Sequence, residues 1–97
     1  VNKHAVTLSK ADMLVLDQNQ PNPFNEKTII TYNVPEKYGY AQIIFTTTEG
    51  KIIKIADITQ KGAGELTVYA NDLSAGIYQY SLVVDGKTIE TKKMIKQ

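Results

Sequence analysis

The chain has 97 residues, 42% of them hydrophobic, which suits one domain with a modest core. Its 11 basic residues are all lysines and face 10 acids, for a net charge of +1. Arginine is the usual reader of phosphate and guanine edges, so nucleic acid is not expected as a partner. With no cysteine, disulfides, thiolate nucleophiles and cysteine-ligated zinc are excluded, and the redox compartment stays open.

Residues 1–13 are polar and lack periodicity, so they read as a linker ahead of a domain at 14–97. The chain begins at Val1 and is expected to be a piece of a longer protein. No signal peptide stands at its start, and no apolar run nears the roughly 18 residues of a membrane helix. Direct membrane insertion is therefore not expected.

Strand signals then dominate. A short apolar run at 14–17 leads to QPNPFNEKTIITYNVPE, residues 20–36. Pro21 and Pro23 lack N–H donors and cannot sit inside a ladder. They also push Gln20 and Asn22 toward extended backbone. Asn22 suits a turn. Phe24 brings an apolar anchor worth about 1.5–3 kcal/mol if fully buried. From 28 to 34 the pattern alternates, with Thr28, Ile30, Tyr32 and Val34 on one face. Residues 41–48 group Ala41, Ile43 and Phe45; residues 51–59 are rich in isoleucine; residues 66–70 contain Val68 and Tyr69. Residues 77–84 place Tyr78, Tyr80, Leu82 and Val84 together. The last run, 87–96, sets Ile89, Thr91, Lys93 and Ile95 against Thr88, Glu90, Lys92 and Met94. Period two with β-branched and aromatic enrichment predicts strands.

Glu49-Gly50 and Asp85-Gly86 each separate two runs by two residues and predict tight hairpins, the second more strongly. Lys61-Gly62-Ala63-Gly64 reads as a flexible connection, and residues 71–76 as a longer loop with room for one helical turn. About seven short strands at this spacing predict an immunoglobulin-like antiparallel β-sandwich.

Catalytic chemistry is missing from the inventory. The one histidine, His4, lies in the linker. Ser9, Ser74 and Ser81 have no histidine near in sequence and no glycine-framed nucleophile elbow. The acids are scattered singly, and no phosphate loop, dinucleotide fingerprint or EF-hand is present. A calcium site built from scattered loop carboxylates is left open. Neither catalytic residues nor cofactors are assigned. Six tyrosines could form a sugar platform, but most are expected in the core or in cross-strand pairs.

Three ordered blocks resemble the C-terminal sorting domain of the type IX secretion system, type A. The first comprises Asn19, Pro21, Asn22, Pro23, Phe24, Thr28, Ile30, Tyr32, Val34 and Pro35. The second is the strand–turn–strand around Ile43, Phe45, Gly50 and Lys51. The third runs through Asp72, Leu73, Gly76, Tyr78, Gly86, Thr91, Lys93, Met94 and Ile95. The resemblance covers residues 16–97; Gln97 departs mildly, since a basic or apolar residue is common there.

What the resemblance implies is a non-enzymatic export signal. Cargo would be directed through the outer-membrane translocon and received by a shuttle β-barrel. A sortase-like cysteine peptidase would then remove the domain by cutting within residues 1–13. The cargo would end at the cell surface, on anionic lipopolysaccharide, or outside the cell. Partner recognition is expected at the last hairpin: Gly76, Tyr78, Gly86, Thr91, Lys93, Met94, Ile95, Lys96 and Gln97. Lys87, Lys92, Lys93 and Lys96 against Glu90 give this end a net charge of +3. With its free carboxylate, the terminal strand can offer an edge or a tip. Lys93 is the expected directed contact, though it fits equally well as a charge guarding an edge strand. The other reading is an immunoglobulin- or fibronectin-like accessory module that binds glycan or spaces domains. A third is a cap that protects the cargo fold.

Overall fold

The structure is a computed structural model and describes residues 13–97, the side chain of Asp72 excepted. Seven strands follow one another: β1 (Val15–Leu16), β2 (Lys27–Val34), β3 (Ala41–Thr47), β4 (Ile52–Ile58), β5 (Gly62–Tyr69), β6 (Gly76–Val84) and β7 (Lys87–Lys96). A short 3₁₀ turn, Ala70–Asp72, fills the longer loop. All pairings between strands are antiparallel. One sheet has the order β1-β2-β5 and the other β4-β3-β6-β7.

The alternating runs bury the expected faces. Thr28, Ile30 and Val34 of β2 are buried, as are Ala41, Ile43 and Phe45 of β3 and Tyr80, Leu82 and Val84 of β6. They meet in one apolar cluster to which both sheets contribute, so the sheets form a sandwich. On β7 the inward residue is Met94, while Ile89 and Ile95 stay exposed. Met94 pairs directly with Tyr78 on β6, and a flexible thioether is suited to such a place in the core. Tyr80 is core, and Tyr32, Tyr38 and Tyr78 pack against it, whereas Tyr40 and Tyr69 are exposed.

Two local expectations need correction. Gly62, Ala63 and Gly64 are no flexible connection; they open β5, paired with Val34, Asn33 and Tyr32. The reason is a cross-strand partner. A Cβ on Gly64 would stand 2.6 Å from the Tyr32 hydroxyl oxygen and 2.7 Å from Cζ. The missing side chain lets the ring lie over the strand. The β3–β4 turn also has three residues instead of two: the Lys51 carbonyl accepts from Thr47 N–H (2.9 Å), and Gly50, at φ +92°, closes the loop. A bulge follows, since Phe45 faces Lys54 while Thr46 faces Ile52. Asp85-Gly86 forms the expected primed turn, with φ values of +51° and +83°.

Loops are tied down by side chains. Asp85 accepts from the N–H groups of Tyr40 (2.9 Å) and Gly39 (3.3 Å), and a Cβ on Gly39 would collide with that carboxylate. Tyr78, near the start of β6, donates its hydroxyl to the Ser74 carbonyl at 2.7 Å. A tyrosine bonded back across this corner belongs to immunoglobulin-like sandwiches. Among the described residues no helix is long and apolar enough to cross a membrane.

Gly64→Ala is expected to push the Tyr32 ring aside and destabilise the fold by about 1–3 kcal/mol in urea unfolding. In a Tyr32→Thr background the same change should cost little, because no ring is left to displace.

Candidate functional site: the terminal strand and its proline arm

Between β1 and β2 the chain forms an arm, residues 17–26, that crosses from the first sheet to the outer edge of β7. Its local chemistry is set by Pro21 and Pro23, both exposed and both preceded by cis peptide bonds. With no N–H to donate, the prolines leave side chains and the remaining amides to make the contacts. Asn22 Oδ1 accepts from Ile95 N–H at 2.8 Å. Phe24 N–H donates to the Ile95 carbonyl at 3.0 Å, and Gln97 N–H donates to the Phe24 carbonyl at 2.8 Å. The Gln18 side-chain amide donates to the Lys93 carbonyl at 2.6 Å. Phe24 and Lys96 form a parallel bridge, and the Phe24 ring is buried. The backbone edge of β7 from Lys93 to Gln97 is thus already occupied.

A polar node beneath the arm fixes its position. Asn19 and Thr28 are both buried. Asn19 Nδ2 donates to Thr28 Oγ1 (3.0 Å) and to the Pro21 carbonyl (3.2 Å), and Thr28 Oγ1 donates to the same carbonyl (2.8 Å). The Tyr80 hydroxyl accepts from Asn19 N–H (2.8 Å) and donates to the Asp17 carbonyl (2.7 Å). No buried side-chain polar atom among the described residues lacks a partner. Burial, only partly offset by the Asn19 N–H bond, pushes the Tyr80 pKa up to about 12.

The expected recognition residues divide by position. Thr91, Lys93 and Ile95 are exposed along the outward face of β7, with Ile95 beside Ile77. Thr91 shares a hydrogen bond of 2.7 Å with Ser81. Met94 is fully buried. Lys96 is half-buried and donates its ammonium to the Gln97 carbonyl. Tyr78 holds the β5–β6 corner, Gly76 opens β6 at φ +154°, and Gly86 lies at the far end of the hairpin. The tip therefore gathers Lys93, Ile95, Lys96 and Gln97 with the arm, while Gly86 stands apart.

Of the structural motif residues, Ile30 and Pro35 are buried, Leu73 packs on the core, and Asp72 ends the 3₁₀ turn. Sequence reasoning missed Gln18 and gave Tyr80 only a place in the core. Their partners lie 75 and more than 60 positions away, and no periodicity signals such a contact. Residues 1–12 lie outside the described residues, and with them His4, Ser9, Asp12 and nearly all of the expected cleavage region. Among the described residues no group of three or more His, Asp or Glu gathers as a metal site.

The fold and this tied end define an immunoglobulin-like, all-β module distinguished by an arm clamped onto its last strand. A family model described as the secretion system C-terminal sorting domain matches residues 20–97. That is most of the chain, and the chain belongs to this family of type IX secretion sorting domains. Its members are generally non-catalytic, and they belong to a pathway of export to the cell surface or beyond. No curated protein and no solved structure matches the chain.

Two measurements test the clamp. Tyr80→Phe leaves Asn19 N–H and the Asp17 carbonyl short of a partner, so stability at neutral pH should fall by about 1–3 kcal/mol. Because the folded pKa is raised above the ordinary 10.0, this hydroxyl's contribution is complete below about pH 10 and is lost as pH rises toward about 12. The difference in unfolding midpoint between native and Tyr80→Phe protein should shrink over that window. Asn22→Ala should speed exchange of the Ile95 amide about fivefold to tenfold while leaving Met94, which faces β6, unchanged.

Proposed function

We propose that this domain is a non-enzymatic C-terminal export signal whose message is carried by the tip of β7 and its proline arm. The observation that carries the reading is the family match over residues 20–97. The clamp supports it from a second side, because the first and last motif blocks meet at this tip. With the backbone edge from Lys93 to Gln97 paired to the arm, a receptor here reads side chains: Lys93 and Ile95 outward, with Ile77 beside them. An exposed ammonium next to two exposed isoleucines suits a pocket with an acidic rim and an apolar floor.

In this reading the cargo passes the outer-membrane translocon, and a shuttle β-barrel receives the folded domain. A sortase-like cysteine peptidase then cuts within residues 1–13, ahead of the first strand and clear of the core. Cargo is joined to anionic lipopolysaccharide or released. Residues 14–97 act as the folded label and contribute no reacting group.

The test fuses residues 14–97 to a fluorescent protein in a host with a working type IX system. Removing residues 93–97 also strips the arm of its partners, so Lys93→Glu, which keeps the backbone, accompanies it. Both are expected to reduce export, and Lys93→Glu should do so with unfolding free energy unchanged within about 0.5 kcal/mol. Normal export of both fusions would show that the tip is not the message.

A further inference from the structure

The two sheets end in four edge strands: β1 and β5 in one, β4 and β7 in the other. Three of these edges are guarded. The arm covers the tip of β7, β1 is only two residues long, and β4 carries Lys54 and a bulge. The fourth, β5, has none of these devices. Its eight residues, GAGELTVY, pair with β2 in unbroken register and include no lysine and no proline.

The bonds made by β2 show which groups of β5 are open. Ile29 gives its N–H and its carbonyl to Gln20, both at 2.9 Å, and the Thr31 carbonyl accepts from Asp17 N–H at 3.0 Å. The residues opposite them, Thr67 and Glu65, therefore stand at non-hydrogen-bonded positions of the β2–β5 ladder. The alternation extends to Tyr69, because its neighbour Ala70 donates to the Glu26 carbonyl at 2.8 Å. Glu65, Thr67 and Tyr69 thus turn their N–H and C=O groups away from β2, toward a side where no further strand of this sheet follows. Their side chains share one face of the strand, and Tyr69 is 55% exposed.

The residues of this edge complement themselves. Antiparallel pairing of two β5 strands about Thr67 sets Thr67 against Thr67, Leu66 against Val68 and Glu65 against Tyr69, the last two twice over by symmetry. Thr–Thr and apolar pairs are favourable cross-strand neighbours, and a tyrosine hydroxyl donates well to a carboxylate. The two Glu65 carboxylates then lie four residues apart along the strand, roughly 13 Å, further than exposed charges act at physiological salt. The central Thr67 pair is of the hydrogen-bonded kind, as its open N–H and C=O groups require. Other registers are worse: centring on Glu65 puts like charges face to face, and centring on Leu66 sets them diagonally.

We propose that the open edge of β5 is a dimerisation surface whose partner is a second copy of this chain. The second β5 adds antiparallel about a twofold axis at Thr67, and two three-stranded sheets become one continuous sheet. Main-chain bonds from Glu65, Thr67 and Tyr69 supply the affinity, and the three kinds of side-chain pair fix the register. The β7 tip belongs to the other sheet and is tied to the arm, so the pairing makes no use of it. Dimerisation and the export reading therefore stand or fall separately.

Sedimentation equilibrium of the full chain measures the association, and amide exchange of the ¹⁵N-labelled chain locates it. A five-residue strand pair is a small interface, so a Kd of about 0.1 mM is expected, with samples spanning about 10 µM to about 1 mM. Protection of the Glu65, Thr67 and Tyr69 amides is expected to rise with concentration over that range. Tyr69→Glu sets a carboxylate opposite Glu65 of the second copy and is expected to weaken the dimer about tenfold. Adding Glu65→Lys makes the opposed charges unlike and is expected to restore the dimer, which a misfolded variant would not do. A chain still monomeric at about 1 mM overturns the proposal. So does a dimer that Tyr69→Glu leaves unchanged, one that Glu65→Lys fails to rescue, or protection confined to β4 or β7.

Discussion

The Tyr80 hydroxyl, held between the Asn19 N–H and the Asp17 carbonyl, is the contact on which the rest of this domain depends. It belongs to a buried side chain and sits beneath the arm, where an unmade hydrogen bond costs more than a made one returns. Asn19 is thereby fixed, and through it Thr28 and the Pro21 carbonyl. The arm can then reach β7 only along one path. Phe24 adds the apolar half of the same attachment. Polar bonds decide where the arm goes, and burial of the ring decides that it stays.

One consequence is that the two ends of the domain form a single structural unit. The block around residues 19–28 and the block around residues 91–97 are far apart in sequence, yet they share backbone and side-chain bonds at β7. A change at Asn22 or Gln18 therefore acts on the presentation of Ile95 and Lys93. The clamp also protects an edge: four-stranded sheets end in strands that invite further pairing, and here the arm covers the last part of one such strand. The β4 edge has no such cover, and lysines and a bulge are its defences.

The sandwich alone says little about purpose, since unrelated proteins share it. Its corner tyrosine and its division into three and four strands hold the fold together. Membership in the sorting-domain family connects this scaffold with export, and the arm–strand clamp is where the first and last motif blocks of the chain meet.

Strand order along the chain, the inward faces of β2, β3 and β6, and the Asp85-Gly86 turn were all legible in the residues. Alternation and turn chemistry act over a few positions, and each such signal is complete within its own segment. The three motif blocks were legible too, as was the apolar role of Phe24. Long-range partners were not. Gly64 looks like a flexible residue until Tyr32 is laid across it, and Asp85 looks like a turn former until Gly39 and Tyr40 donate to it. Gln18 carries no sign of Lys93. Local pattern was enough to set which face of each strand is apolar; only packing in three dimensions set which edges are covered, because a hydrogen bond between distant segments leaves no period in either of them.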